Sequence, residues 1–116
     1  AKTALGRAYL AALSPSRHEA LLTEIGHVAP EMIPDIEAGI ASAVAHYRQN
    51  GYTVSAGDWM TDYHAVGVPL VLNNGTILAF NCGGLASQIS HEQLPNLGRQ
   101  LADMVNDLAR TQDVAR

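Results

Sequence analysis

The sequence feature that most constrains the fold is a pair of apolar runs, His64–Leu72 and Thr76–Cys82, separated by Asn73-Asn74-Gly75. An Asn-Gly step between such runs is the strongest short-range signal for a β-hairpin, because a type I′ turn needs positive φ at both of its central residues. The stretch from His64 to Leu85 therefore predicts two antiparallel strands joined by a tight turn.

The chemistry of this hairpin depends on the length of its loop. We predict that Asn74-Gly75 is a two-residue loop, which places position 64 opposite 85 and 68 opposite 81. Because strand side chains alternate, His64 and Asn81 then share a face, beside the bare backbone of Gly83-Gly84. The apolar members of that face are Val66, Val68, Leu70, Leu72, Ile77 and Ala79. This arrangement predicts an apolar pocket with a polar end. A three-residue loop would instead put Cys82 on the His64 face.

Composition sets the broad class of protein. The chain has 116 residues, of which 47% are hydrophobic and 16% charged, as in one ordinary globular domain. A net charge of −4 argues against an extended nucleic-acid surface, and one cysteine excludes an internal disulfide framework. We find no signal peptide and no apolar run of about 20 residues, so we expect a cytoplasmic protein without a membrane partner. Because the chain opens on Ala-Lys-Thr, we expect a fragment, residues 1–116 forming one domain truncated at its N-terminal side.

Periodic apolar residues with capping signals predict four helices around the sheet. The predicted helices run from Thr3 to Leu13, from Ser16 to Ile25, from Pro34 to Asn50 and from Ser90 to about Arg110. Ser14-Pro15 should end the first helix and Gly26 the second. Tyr52–Ser55 is a short strand candidate, and Pro69 should weaken one edge of its strand. The sum predicts an α+β fold.

Three ordered motifs resemble the effector-binding domain of IclR-family transcriptional regulators. The first motif is Thr3-Ala4-Leu5-Gly6-Arg7-Ala8-Tyr9-Leu10-Ala11; the second combines Asn50-Gly51-Tyr52, Gly57-Asp58-Trp59 and Ala65-Val66-Gly67-Val68-Pro69; the third is Asn81-Cys82-Gly83-Gly84. The resemblance implies a GAF-like antiparallel sheet with helices packed on its faces and a small-molecule pocket on one face. It also implies dimers or tetramers, and DNA binding through an N-terminal winged helix-turn-helix that is absent here. We expect no cofactor.

The same resemblance implies which residues contact the effector. The positions carried over are Ala4, Leu5, Ser55, Asp58, His64, Asn81 and Gly83. Asn81 and Gly83 stand where the family usually has hydroxyl side chains, and Leu85 stands where it has proline, so the ligand of one relative does not transfer. The effector predicted is a small organic acid or an aromatic metabolite, and the chain is predicted not to be an enzyme.

Several residues have alternative interpretations. His64 is also consistent with a hydrogen-bonded core histidine, and Asn81 with an amide that bonds to loop backbone. Cys82 and His64 suggest a nucleophile and base, but the predicted register separates them and no third group orients the base. The histidine spacing is not that of a zinc site. The rival functions are a GAF- or PAS-like sensory module of another signalling protein and a small Cys-dependent enzyme.

Overall fold

Four helices surround a three-stranded sheet in the structure, a computed structural model that describes residues 2–111. The elements are α1 (Ala4–Ala11), α2 (Pro15–Val28), α3 (Ile33–Asn50), β1 (Thr53–Ala56), β2 (Tyr63–Val71), β3 (Ile77–Leu85) and α4 (Leu94–Thr111). The strands are antiparallel in the order β1-β2-β3, with α1 on one face of the sheet and α4 on the other. The α+β, GAF-like architecture is confirmed.

The ends of three helices follow the predicted capping chemistry. Thr3 caps α1, since its Oγ1 accepts a hydrogen bond from the Gly6 N–H at 3.0 Å. Gly51, at φ +84°, ends α3 in the left-handed conformation that favours glycine. Ser90 and Gln93 form a capping box around the 3₁₀ turn that leads into α4.

Helix α2 begins earlier and ends later than predicted. Its N-cap is Ser14, whose Oγ accepts from the Arg17 N–H at 3.3 Å, and Pro15 is its first residue. Proline suits this position because it has no N–H to leave unpaired and its φ is already helical. The predicted start at Ser16 and the predicted end at Gly26 are therefore wrong, since the helix begins at Pro15 and continues to Val28.

The hairpin between β2 and β3 closes with a three-residue loop, so the predicted two-residue register is wrong. Tyr63, not His64, pairs with Leu85. Gly75 has φ +87°, whereas Asn74 does not have positive φ, which excludes a type I′ turn. The Gly75 N–H instead donates to the Leu72 carbonyl at 2.9 Å, and the Leu72 N–H donates to the Thr76 carbonyl at 2.8 Å.

This register places the bulky residues in the middle of β2 and β3 on one face and the small ones on the other. The face toward α4 carries His64, Val66, Val68, Leu70, Leu78, Phe80, Cys82 and Gly84, and the face toward α1 carries Tyr63, Ala65, Gly67, Pro69, Val71, Ile77, Ala79, Asn81, Gly83 and Leu85. Helix α1 lies against the backbone itself, since a Cβ on Gly67 would be 2.3 Å from the Ala4 carbonyl oxygen. His64 and Asn81 consequently lie on opposite faces, and the prediction that they share one is wrong.

The hydrophobic core lies between α4 and the sheet. Its buried members are Tyr52, Val66, Val68, Leu70, Leu94, Leu101, Val105 and Ala109. Because Val66 and Val68 belong to this core, the prediction that they line the pocket with Ile77 and Ala79 is wrong for both valines. Pro69 lies beyond the last residue that β1 pairs with, Gly67, so one edge of β2 is unpaired there, as predicted.

Candidate functional site

A cavity of about 230 Å³ lies between the start of α1 and the sheet face that carries the small residues. It is lined by Thr3, Ala4, Leu5, Ser55, Trp59, Tyr63, Ala65 and Asn81. A larger cleft of about 440 Å³ lies at the far end of β2 against α4. Among residues 2–111, only Tyr47 and Asn106 contribute polar side chains to its lining. The smaller cavity has more polar groups and is the candidate site.

Two buried hydroxyl groups of β1 fix the start of α1 over this cavity. The Thr53 Oγ1 donates to the Ala4 carbonyl at 2.8 Å, and the Ser55 Oγ donates to the Lys2 carbonyl at 2.6 Å. Both side chains are almost completely buried. The N–H groups of Ala4 and Leu5 belong to the first helical turn, where backbone donors have no acceptor within the helix. A helix start with open donors and a partial positive charge favours an anionic group.

Tyr63 and Asn81 supply the remaining polar groups of the cavity. Within residues 2–111, neither the Tyr63 hydroxyl nor the Asn81 amide has a hydrogen-bond partner. Asn81 is exposed to solvent. The Tyr63 hydroxyl lies directly over Gly83, where a Cβ would be 2.7 Å from it. The Trp59 ring packs edge-to-face on the Tyr63 ring at 5.5 Å between centroids. The cavity therefore offers one phenol, one carboxamide and an aromatic wall.

An ion pair lies just outside the cavity and fixes the loop that carries Trp59. Arg7 Nη1 donates to Asp58 Oδ2 at 2.8 Å and to the Val54 carbonyl at 2.7 Å. The hydrogen bond from Arg7 lowers the pKa of Asp58, an effect that burial partly opposes and the charge of Arg7 reinforces. Among the residues that the structure describes, no charged side chain lines the cavity itself.

The predicted ligand contacts are divided among three places. Ala4, Leu5, Ser55 and Asn81 line the cavity, and Gly83 lies beneath the Tyr63 hydroxyl. Asp58 does not line it and is paired with Arg7. His64 is on the α4 face, where its Nδ1 donates to the Ile89 carbonyl at 2.8 Å and its ring centroid is 5.7 Å from that of His91. His64 is thus hydrogen-bonded, as in its alternative interpretation, but it is only half-buried and lies outside the core cluster.

The sequence analysis did not include Thr3, Trp59, Tyr63 and Ala65 among the site residues. Tyr63 directly precedes the apolar run His64–Leu72 and was interpreted as the end of a loop, so it was not considered as a site residue; a two-residue hairpin loop would also have placed it on the face opposite to Asn81. The usable signal was the size alternation in Ala65-Val66-Gly67-Val68, because a three-residue loop pairs Val68 with Phe80 and Gly67 with Asn81, whereas a two-residue loop would pair Val68 with Asn81. Pairing by size would have placed Tyr63 on the same face as Asn81.

The observed register brings Cys82 and His64 to the same face, so the facial argument against a nucleophile–base pair is wrong. Within residues 2–111, however, no hydrogen bond joins the two side chains, and the His64 Nδ1 is occupied by Ile89. Among the same residues, no group of three His, Cys, Asp or Glu side chains is arranged to hold a metal ion. None of the helices described is both long and apolar enough to traverse a lipid bilayer.

Comparisons with known proteins agree with this architecture. Residues 1–110 match the family model described as "Bacterial transcriptional regulator IclR C-terminal". An IclR-family transcriptional regulator from Brucella abortus is 35% identical, with a TM-score of 0.84 over 96% of this chain and 43% of that chain. The comparison with curated proteins gave no match.

Two further solved structures share the fold at lower identity. The Agrobacterium tumefaciens repressor BlcR is 19% identical, with a TM-score of 0.67 over 94% of this chain and 45% of its own. The inducer-binding domain of a PobR double mutant from Acinetobacter, solved with 3-hydroxybenzoic acid, is 19% identical, with a TM-score of 0.60 over 90% of this chain and 65% of its own. The chain spans less than half the length of the first two of these structures. It belongs to the IclR family of bacterial transcriptional regulators, whose C-terminal domain its residues 1–110 match.

Proposed function

We propose that this domain binds a small organic acid, with a single aromatic ring as the preferred body, in the cavity between α1 and the sheet. The single observation that carries the proposal is the presence of two polar groups without partners in residues 2–111, on Tyr63 and Asn81, inside a cavity that is otherwise mostly apolar. Ligand sites are typically apolar concavities with a few polar groups that orient the ligand.

The size of the cavity supports a ligand of one ring. An apolar cavity of about 150 Å³ accommodates benzene, and the cavity here is about 230 Å³. The aromatic wall formed by Trp59 and Tyr63 suits a flat ring. The PobR domain, which shares this fold, was solved with 3-hydroxybenzoic acid, and this compound is a rational first probe.

The polar groups support a ligand with an acid and a hydroxyl. The start of α1 has open N–H groups at Ala4 and Leu5 and favours a carboxylate, and none of the described residues that line the cavity is acidic. The Tyr63 hydroxyl and the Asn81 amide each donate and accept, so they can bind a phenolic or aliphatic hydroxyl of the ligand. His64 has no part in this proposal, because it lies on the opposite face.

In the complete regulator, we propose that the ligand alters the assembly of subunits and through it the affinity for DNA. A ligand shifts such an equilibrium only by binding one arrangement more tightly than the other. The cavity is lined by the start of α1, by the sheet and by Trp59 from the loop at residues 57–62, so a bound ligand would contact all three and stabilise their arrangement. Transcriptional control by this chain rests on family membership and remains a proposal.

Titration calorimetry with 3-hydroxybenzoate, benzoate and a non-aromatic carboxylate tests the site. We expect Asn81→Ala and Tyr63→Phe each to weaken binding by about 1–3 kcal/mol, because each removes one hydrogen bond to a buried ligand group. Thermal unfolding of both variants should stay close to that of the unsubstituted chain, since neither group bonds within the described chain.

The matched control is Asn96→Ala, an exposed asparagine on α4 that lines a different surface. It should bind the acids as the unsubstituted chain does. Equal affinity in Asn81→Ala, Tyr63→Phe and Asn96→Ala would refute the site. If none of the three acids binds or stabilises the chain, the proposed ligand class is refuted.

A further inference from the structure

We propose that Arg7 is a positioning residue, which holds the loop at residues 57–62 against α1 and thereby keeps Trp59 in the wall of the cavity. Arg7 lies four residues after Thr3 on the helix whose first turn forms one wall. Asp58 immediately precedes Trp59, which forms part of the other wall. Neither member of the ion pair lines the cavity, so their effect on it is indirect.

The geometry makes Arg7 the connection between the two walls. One guanidinium nitrogen donates both to the Val54 carbonyl, at 2.7 Å, and to Asp58 Oδ2, at 2.8 Å. The first contact anchors Arg7 to β1, and the second anchors the loop to Arg7. The Arg7 side chain is 21% exposed, so solvent screens this pair less than a fully exposed one.

The loop is compact, so that fixing Asp58 also fixes Trp59. The Gly57 N–H donates to the Tyr63 carbonyl and the Tyr63 N–H donates to the Met60 carbonyl, both at 3.0 Å. Gly57 has φ +75°, and a Cβ there would be 3.2 Å from the Thr61 carbonyl oxygen. Trp59 is 54% exposed, and the Tyr63 ring packs edge-to-face against it. Because so much of the Trp59 side chain is exposed, its place in the cavity wall depends on the position of the loop.

Trp59 is the only tryptophan of the sequence, so its fluorescence reports on this wall alone. The experiment measures acrylamide quenching of the ligand-free chain for Arg7→Gln, Asp58→Asn and the double variant. We expect the quenching constant to rise on the order of 1.5-fold in each single variant, because the loop opens locally. The double variant should show about the same rise as either single one, since both substitutions break the same pair.

A second ion pair provides the matched control. Arg110 and Asp107 pair on α4, with both side chains 70% exposed. Arg110→Gln and Asp107→Asn should leave the quenching of Trp59 unchanged. Arg7→Lys retains the positive charge and should restore most of the protection that Arg7→Gln removes. The proposal is overturned if the Asp58→Asn variant and the unsubstituted chain have equal quenching constants and circular dichroism shows that both proteins are folded.

The consequence for ligand affinity rests on the proposed function and is measured separately. With 3-hydroxybenzoate as the probe, we expect Asp58→Asn to bind about threefold more weakly, as for loss of a partly exposed ion pair. Unchanged affinity despite increased quenching would overturn a role of Arg7 in binding. If the unsubstituted chain does not bind the probe, the proposed ligand class is refuted, whereas the quenching result still decides the role of Arg7.

Discussion

At the scale of single residues, Gly67 determines how closely α1 approaches the sheet. A Cβ at this position would lie 2.3 Å from the Ala4 carbonyl oxygen and 2.9 Å from the Thr53 Oγ1, closer than any real contact. The same Ala4 carbonyl accepts the hydrogen bond from Thr53. The position of Ala4 in the cavity wall therefore depends on the hydrogen bond from the Thr53 hydroxyl and on the absence of a side chain at Gly67.

Gly67→Ala should destabilise the chain by about 1–3 kcal/mol, because backbone atoms of α1 must move to admit the methyl group. Urea unfolding measures the effect. The same substitution at Gly39, inside α3, meets nothing within 4 Å and should stabilise the chain by about 0.5–1 kcal/mol through helix propensity. Equal effects at the two positions would contradict the close packing of α1 on β2.

At the scale of elements, α4 makes the largest contribution to the core. Its buried residues recur every three or four positions, the spacing that aligns them on one face of a helix. The sheet face that packs on α4 has Val66, Val68, Leu70 and Phe80 in its middle, whereas the face under the start of α1 has Ala65 and Gly67 there. The two helices accordingly have different roles: α4 fills space with side chains, and α1 leaves the cavity beside its first turn.

Leu101→Ala should therefore destabilise the domain by about 2–4 kcal/mol, since Leu101 is 8% exposed and belongs to the core cluster. Met104→Ala, three residues later on the same helix, is the control, because Met104 is 68% exposed and its loss should change stability by less than about 0.5 kcal/mol. Denaturant unfolding of both variants measures the difference. Similar values would place α4 in an orientation different from the one described.

At the scale of the whole molecule, the sheet separates a structural face from a face suited to binding. The α4 face buries the core and also carries the half-buried His64, which bonds to the Ile89 carbonyl. The α1 face holds the cavity and the polar groups of Tyr63 and Asn81. Substitutions on the two faces should consequently separate into effects on stability and effects on affinity.

His64→Ala is the most direct test of this separation. It should lower the free energy of unfolding by about 1–2 kcal/mol, because the Ile89 carbonyl loses its donor. Its affinity for 3-hydroxybenzoate should remain within about twofold of that of the unsubstituted chain. A change of this size is well below the change in affinity expected for the loss of one hydrogen bond to the ligand. His27→Ala, at an exposed position of α2, is the control for stability. Loss of binding in a folded His64→Ala variant would disprove the assignment of the two faces.

Local patterns in the sequence were sufficient to predict most of the elements. The caps at Thr3, Gly51 and Ser90 act over three or four residues, so their effect is visible without knowledge of the fold. The existence of the hairpin and the family resemblance follow in the same way from contiguous motifs. Helix α2 was predicted less well, because Ser14-Pro15 was interpreted as the end of the first helix, whereas Ser14 caps α2 and Pro15 is its first residue.

The sequence by itself thus determined the helices, the hairpin and the family, since each depends on residues close together in the chain. Only the tertiary structure decided the hairpin register, and with it whether His64 or Tyr63 accompanies Asn81. Both loop lengths satisfy the Asn-Gly signal locally, and they differ by one residue. The choice depends on packing across the sheet: α4 needs bulky side chains on its face, and α1 needs Gly67 and other small residues on the opposite face.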